Sequence, residues 1–266
     1  DLISGSNKPN LIPQTIYNHL CISGERRAFR NLDFVLMAKE GENIYKDAIY
    51  SPFNHNIEYV DFPMFVNVND FNIKKCNSDK EIVFVYAGTL DKNYRNPTYM
   101  LELLSKIGNK IPNLTLHIYG KGDCGSIIND YCNEDKISII QHGFVGHDEV
   151  IFAMKSSDFI INIANTTENI VPSKIFELFS VGKPIINFVK NQRDSSLMYF
   201  NKYPSVNNVK EWDDIEAQIN ETYEFIMNEK GNEYSFEQIK NNFIENTPRY
   251  VVEKIENIIM NLSQHD

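Results

Sequence analysis

A chain of 266 residues, 42% of them hydrophobic, is long enough for one large α/β domain or for one domain with part of another. Its formal net charge of −10 argues against a nucleic-acid protein, whose affinity comes from Lys and Arg that neutralise phosphates, and disfavours a general anionic membrane surface. No apolar stretch approaches the ~20 residues that a membrane-spanning helix requires.

In chain order, the hydrophobic spacing predicts a helix over Gln14–Phe29, a strand at Phe34–Ala38, a helix near Glu40–Ala48 and a strand at Ile57–Val60. Arg26, Arg27 and Arg30 give the first helix a local basic face, which leaves peripheral membrane association open for this N-terminal part. Two strands and two helices do not easily close a core, so residues 1–75 read as the tail of another α/β domain whose upstream portion is missing. The start at Asp1, without methionine or targeting segment, agrees with a fragment. The polar stretch Asn67–Lys80 reads as a linker to a second domain over residues 76–266. Cys21, Cys76, Cys124 and Cys132 match no C-x-x-C or zinc spacing and read as reduced thiols of a cytoplasmic protein.

From Glu81 onward strands and helices alternate as in a parallel sheet covered on both faces. Strands are expected at Ile82–Tyr86, Leu114–Tyr119, Ile137–Ile140, Phe159–Ile163 and Pro184–Val189. Helices are expected at Pro97–Ile107, Asp123–Cys132, His147–Lys155 and Ser173–Val181, followed by Trp212–Glu229, Phe236–Glu245 and Pro248–Leu262.

Ligands of open parallel sheets sit outside the carboxyl ends of the strands, which directs attention to the loops there. Ala87–Pro97 (AGTLDKNYRNP) offers Gly88 for close backbone approach, with Lys92 and Arg95 as cations. Tyr119–Gly125 (YGKGDCG) sets Gly120 and Gly122 around Lys121. Gln141–Val150 (QHGFVGHDEV) carries Gly143, Phe144 and Val145, a seat for a flat base, although Phe144 equally suits the core. G-x-x-x-x-G-K-[ST] does not occur, which disfavours an ATPase. There is no G-x-S-x-G elbow, and His142 and His147 lack metal-ligand spacing.

The most informative run is Glu168–Ile186 (ENIVPSKIFELFSVGKPII). Pro172 and Ser173 suit a helix entry, with the serine able to accept an orphan N–H, and Gly182 suits its end. Free N–H groups and the helix dipole make such an entry an anion site. Lys174, a cation where the dipole disfavours one, asks for an anion such as a diphosphate, while a solvated lysine on a surface helix remains the plainer alternative.

With these segments together, the chain resembles the C-terminal, nucleotide-sugar-binding half of a GT-B glycosyltransferase, nearest the retaining family 4 (group 1) enzymes. AGTLDKNYRNP, YGKGD, QHGFVGHDEV, SDFIIN and PSKIFELFSVGKPII carry the likeness over Glu81–Val189. It implies an α/β fold, a Rossmann-like doubly wound parallel sheet plus a partial second α/β domain. It also implies that Glu177 hydrogen-bonds the donor ribose and that Arg95 pairs with the diphosphate. Pro172, Ser173 and Lys174 resemble the phosphate-binding turn, Gly143, Phe144 and Val145 the frame of the base, and Gly120 another donor-side glycine.

Two departures stand out. Thr89 follows Gly88 where the family carries arginine, so Lys92 or Lys174 has to compensate. The family's paired glutamates are eight apart, whereas Glu168 precedes Glu177 by nine (177 − 168) with Asn169 in the eighth place; Glu168 is kept as the sugar contact.

The activity implied is a hexosyltransferase that moves a sugar from a nucleotide-diphosphate donor to a polysaccharide or lipid-linked glycan, with retention. Arg95, Lys174 and Glu168 serve the chemistry, without a metal or cofactor beyond the donor substrate itself. The expected setting is the cytoplasm, extending to the inner face of the membrane. Rival readings are a non-catalytic nucleotide-sugar-binding or assembly module, and a GT-B-like sugar-nucleotide epimerase, which calls for acids and histidines across the cleft.

Overall fold

A computed structural model describes residues 13–39, 42, 57–68, 81–132, 136–166 and 171–263. Glu168, most of the linker, and the expected helix near Glu40–Ala48 apart from Glu42 lie outside the described residues. The chain divides into two compact units, residues 1–63 with 245–266, and residues 64–244. The grouping of the last helix with the front of the chain differs from the division at residue 75, since periodicity along one helix carries no information about its packing partner.

In the first unit, α1 (Gln14–Phe29) precedes two strands, β1 (Val35–Ala38) and β2 (Ile57–Val60), which pair in parallel. Phe29 and Ile57 form a small buried cluster against Val35, Met37 and Tyr59. Of the three arginines on α1's basic side, Arg27 and Arg30 are exposed and Arg26 is half-buried.

The second unit holds a six-stranded, all-parallel sheet. In chain order it runs β3 (Ile82–Ala87), α2 (Thr98–Gly108), β4 (Leu114–Tyr119), α3 (Gly125–Cys132), β5 (Ser138–Gly143), α4 (His147–Ser156), β6 (Phe159–Ile163), α5 (Lys174–Val181), β7 (Ile185–Val189), α6 (Leu197–Phe200), β8 (Val206–Lys210) and α7 (Ile215–Glu229). Then come α8 (Phe236–Lys240) and a 3-10 turn (Asn241–Asn246); α9 (Pro248–Ser263) belongs to the first unit. The spatial order β5-β4-β3-β6-β7-β8 reverses direction at β3 and β6, the switch point at which ligands of such sheets bind.

Every residue of β3 and β7 is buried, as continuous Ile, Val and Phe runs demand of central parallel strands. Buried Asp158, in the SDFIIN segment, accepts the Val83 N–H at 2.9 Å and so fixes the entry of β6 against β3. Across β6, β7 and β8 the register aligns Asn162, Asn187 and Asn208. Their amides form a ladder, Asn162 donating to Asn187 and Asn187 to Asn208, each at 2.8 Å.

α5 buries six of its eight residues. Phe176 meets Tyr199 edge-on at 5.1 Å between ring centroids, and Phe179 stacks on Phe243 at 4.8 Å. Gly182 ends the helix with φ +82, and a Cβ there would lie 1.9 Å from the Tyr234 carbonyl oxygen.

Two differences from the sequence expectation have physical causes. β5 extends to Gly143 rather than ending at Ile140, because an edge strand with one open face tolerates Gln141 and His142. β8 and α6 were not expected: Val206-Asn-Asn-Val-Lys210 has no apolar run, and it becomes a strand through its pairing with β7 and the Asn207-to-Thr222 hydrogen bond at 2.9 Å. Among the described residues no helix is long and apolar enough to cross a membrane.

Candidate functional site

The loops after β3, β4 and β5 are bonded to one another at the carboxyl edge of the sheet. Gly88 N–H donates to the Tyr119 carbonyl at 2.8 Å, Gly120 N–H to that of Gly143 at 2.7 Å, and Leu90 N–H to that of Lys121 at 3.1 Å. Gly120 makes this contact possible: its φ is +141, and a Cβ would fall 1.9 Å from the Gly88 carbonyl oxygen. Gly120 thus admits the close approach of the neighbouring loop.

Within the first loop the Asp91 carboxylate accepts the Asn93 and Tyr94 N–H groups at 2.8 and 2.9 Å, closing a turn that returns the chain at Arg95. Arg95 Nε donates to Asn165 Oδ1, beyond β6, at 2.7 Å. The Tyr86 phenol lies against the same guanidinium and donates to the Thr89 carbonyl at 3.0 Å. Burial pushes its pKa up to about 12 despite the opposing pull of Arg95, so Tyr86 acts as a neutral donor.

A cleft of about 530 Å³ opens at this edge, and Gly88, Thr89, Arg95, Gly120, Phe144, Val145 and Lys174 all line it. Tyr119 and Lys121 line it as well, two positions that sequence reasoning did not single out as site residues. Three cations therefore surround one opening in a chain of net charge −10. Phe144 is 77% exposed with Lys121 Nζ 5.2 Å from its ring centroid, so the core alternative for this side chain is excluded. Gly143, with φ +71, borders an adjoining cavity of about 310 Å³ that shares Gly88, Gly120 and Lys121.

Lys92 is not among the residues lining the cleft; its backbone N–H is held by Asp123 Oδ1 at 3.0 Å. Pro172 and Ser173 form the turn into α5 without lining the cleft themselves. Ser173 makes no capping hydrogen bond, contrary to the expectation, because it already has helical φ and ψ of −56 and −28, which a capping residue does not adopt. The Ile175 and Phe176 N–H groups are instead taken by the Pro172 and Ser173 carbonyls at 3.1 and 3.2 Å, a tightened first turn.

Glu177 stands in the first turn of α5, its side chain 21% exposed, and is not among the residues lining the cleft. Its Oε1 is buried without a hydrogen-bond partner and lies 3.7 Å from Lys174 Nζ, while Oε2 meets His147 Nε2 at 2.7 Å. No sequence signal pairs His147 with Glu177, because the two belong to different helices. His142 is occupied elsewhere: its Nε2 lies 2.8 Å from His117 Nδ1, and its ring stacks on Tyr119 at 4.2 Å. Burial, with the neighbouring His142, lowers the His117 pKa. His142 and His147 are thus held by different partners.

Residues 81–194 match the sequence family described as glycosyl transferases, group 1. Among solved structures, the pneumococcal O-GlcNAc transferase GtfA, crystallised with UDP and GlcNAc, aligns over 98% of this chain and 50% of its own, with 14% identity and a TM-score of 0.59. The lipopolysaccharide outer core galactosyltransferase WaaB aligns over 90% of this chain and 66% of its own, with 15% identity and a TM-score of 0.57. WaaG, a glycosyltransferase of lipopolysaccharide biosynthesis, aligns over 96% of this chain and 85% of its own, with 9% identity and a TM-score of 0.53. The chain spans about half the length of GtfA and 66% of WaaB, and at these identities the likeness is one of fold. A search of curated proteins finds no significant match. Residues 81–194 thus carry the sequence pattern of the group 1 glycosyl transferases, and the six-stranded parallel domain that contains them shares its fold with these solved glycosyltransferases.

Proposed function

We propose that the cleft binds the nucleoside diphosphate of a sugar donor and that the chain serves transfer of that sugar to a polysaccharide or lipid-linked glycan, with retention and without a metal. The observation that carries this reading is the convergence of Arg95 and Lys174, from opposite sides of the switch point, on one cleft at the carboxyl edge of the sheet. Lys121 adds a third positive charge, and the exposed ring of Phe144 at the rim suits a flat base. Glu177, next to Lys174 on α5, is assigned to the hydroxyls of the ribose on the family resemblance.

In such a transfer the nucleoside diphosphate leaves through an oxocarbenium-like state while the acceptor oxygen attacks the same face of the sugar. Negative charge grows on the leaving phosphate, and Arg95 and Lys174 are assigned to stabilise it. Each such group contributes about 2–4 kcal/mol when the site is closed to water. Glu168 is assigned to the sugar, and the exposed Arg27 of α1 and Arg30 just after it to peripheral membrane contact where the acceptor is lipid-linked. The second reading, a nucleotide-sugar-binding module without turnover, draws support from Thr89, which lines the cleft where the resemblance calls for arginine.

A thermal-shift panel of UDP-, GDP-, ADP- and CMP-sugars tests binding, since a donor at ~100 times its dissociation constant stabilises by about 2.7 kcal/mol. One responsive donor is the expected result, and a folded sample that answers none refutes the proposal. Release of nucleoside diphosphate from that donor then separates the transferase from the module.

A further inference from the structure

We infer that Lys190, with Asn191 beside it, is a positioning residue for Arg95: the two residues that follow β7 clamp the loops on either side of the Arg95–Asn165 hydrogen bond and so hold the guanidinium at the cleft for the diphosphate. The inference rests on the nucleotide-binding reading of the cleft and adds to it a role for two residues that are not among those lining it.

By place alone Lys190 reads as one more donor contact, since it is a cation just past the carboxyl end of β7. Its hydrogen bonds assign it otherwise. An ammonium has three donors and no acceptor, and its contacts here are three: Glu211 Oε1 at 2.8 Å, Glu211 Oε2 at 3.0 Å and the Asn96 carbonyl at 3.2 Å. The lysine side chain is 8% exposed and its charge is matched by that of Glu211. The sheet sets Glu211 in place, because its N–H donates to the Val189 carbonyl at 3.1 Å where β8 ends against β7. Asn96 directly follows Arg95, so the lysine fixes the loop after β3 one residue from the guanidinium's own backbone.

Asn191 acts on the other side. Its Oδ1 accepts the Arg193 N–H at 2.9 Å, which orients the amide, and its Nδ2 donates to the Thr166 carbonyl at 3.3 Å. Thr166 directly follows Asn165, whose Oδ1 accepts Arg95 Nε at 2.7 Å. Both partners of that bond are thus anchored to neighbouring residues at the end of one strand. The backbone bonds between Asp91 and Arg95, at 2.9 and 3.3 Å, close the loop on itself but do not tie it to β6 or β7. A binding group ordered in advance loses less freedom when its ligand arrives. Without the clamp Arg95 keeps its charge and loses its fixed place.

The test is calorimetric titration of UDP, GDP, ADP or CDP, whichever gives the largest thermal shift, and of its nucleoside, into the 266-residue chain and its variants. Removing Lys190 alone strands the Glu211 carboxylate, so Lys190→Met is made together with Glu211→Gln and compared with Glu211→Gln alone. The added Lys190→Met is expected to raise the Kd of the nucleoside diphosphate roughly three- to tenfold and to leave that of the nucleoside within about twofold. In an Arg95→Ala background the same change should have no further effect on the diphosphate, a coupling that general loosening of the fold does not produce. Asn191→Ala, at a more exposed contact, should weaken the diphosphate alone by about two- to threefold, and it carries the test if the Lys190 variant does not fold. Equal weakening of both ligands, an unchanged diphosphate affinity, or an undiminished effect in the Arg95→Ala background overturns the inference. An unsubstituted chain that binds none of the four diphosphates refutes the donor reading itself, and this inference with it.

Discussion

Arg95 offers the sharpest test of the cleft, because its surroundings specify what its loss should and should not change. Its Nε is committed to Asn165 at 2.7 Å and the Tyr86 phenol lies against its guanidinium, so the group is held before any ligand arrives, and it lines the cleft as a guanidinium, a group suited to phosphate oxygens. A hydrogen bond to a charged group contributes about 1.5–3 kcal/mol, and an opening that admits water favours the lower part of that range. Arg95→Ala should therefore cost about 1.5–2 kcal/mol of diphosphate binding, roughly a 10- to 30-fold rise in Kd. The corresponding nucleoside, which has no phosphate, should bind within about twofold of its original affinity. Arg95→Lys should recover only part of the loss, since a point charge does not reproduce the fork. The assay is calorimetric titration of nucleoside and nucleoside diphosphate into both variants, repeated at higher salt, where the difference should shrink. Equal weakening of the two ligands, or no change in either, would refute the assignment of Arg95 to the diphosphate.

Three further outcomes test the scaffold. Gly120→Ala places a Cβ 1.9 Å from the Gly88 carbonyl oxygen at φ +141, and should cost at least ~1–3 kcal/mol and weaken donor binding; Gly125→Ala, whose Cβ meets nothing within 4 Å, should do neither, as urea melts of the two will show. Asn187→Leu removes the middle of the asparagine ladder and leaves half-buried Asn162 and Asn208 without their partner in it, so a loss of about 2–3 kcal/mol and of roughly 4–12 °C in Tm is expected by calorimetry. Glu229 supplies the pH dependence. Burial alone would raise its pKa, but hydrogen bonds from Ser205, Asn232 and Tyr234 outweigh it and hold the carboxyl below its ordinary value. The unfolded carboxyl takes its proton near pH ~4.3 and the folded one only at lower pH, so this contribution is complete above that value and is lost as pH falls through the lowered one. Glu229→Gln should accordingly flatten the fall of Tm between about pH 5 and pH 3, and an unchanged slope would count against the network.

What the amino-acid order determined by itself was local. The apolar runs of β3, β4, β6 and β7, the helices between them and the end of α5 at Gly182 follow from side-chain burial and backbone preference within a few residues, and they emerge with their expected type and nearly their expected limits. The cleft residues Gly88, Thr89, Arg95, Gly120, Phe144, Val145 and Lys174 were reached by combining that pattern with the rule that ligands sit at the carboxyl ends of parallel strands, and with the family likeness. The remainder required the fold. Val206–Lys210 becomes a strand only because β7 leaves an edge to pair with, and the edge position of β5 lets its polar residues remain in the sheet. Ser173 and Lys92 show the opposite case: the backbone at Ser173 is already helical, so its hydroxyl makes no cap, and Lys92 is not among the residues lining the cleft. Glu177 was legible as a carboxylate on a helix, but its partner was not. The 2.7 Å contact with His147 depends on how two helices lie against each other, and a contact between residues distant in the chain leaves no periodic mark in either of their local sequences.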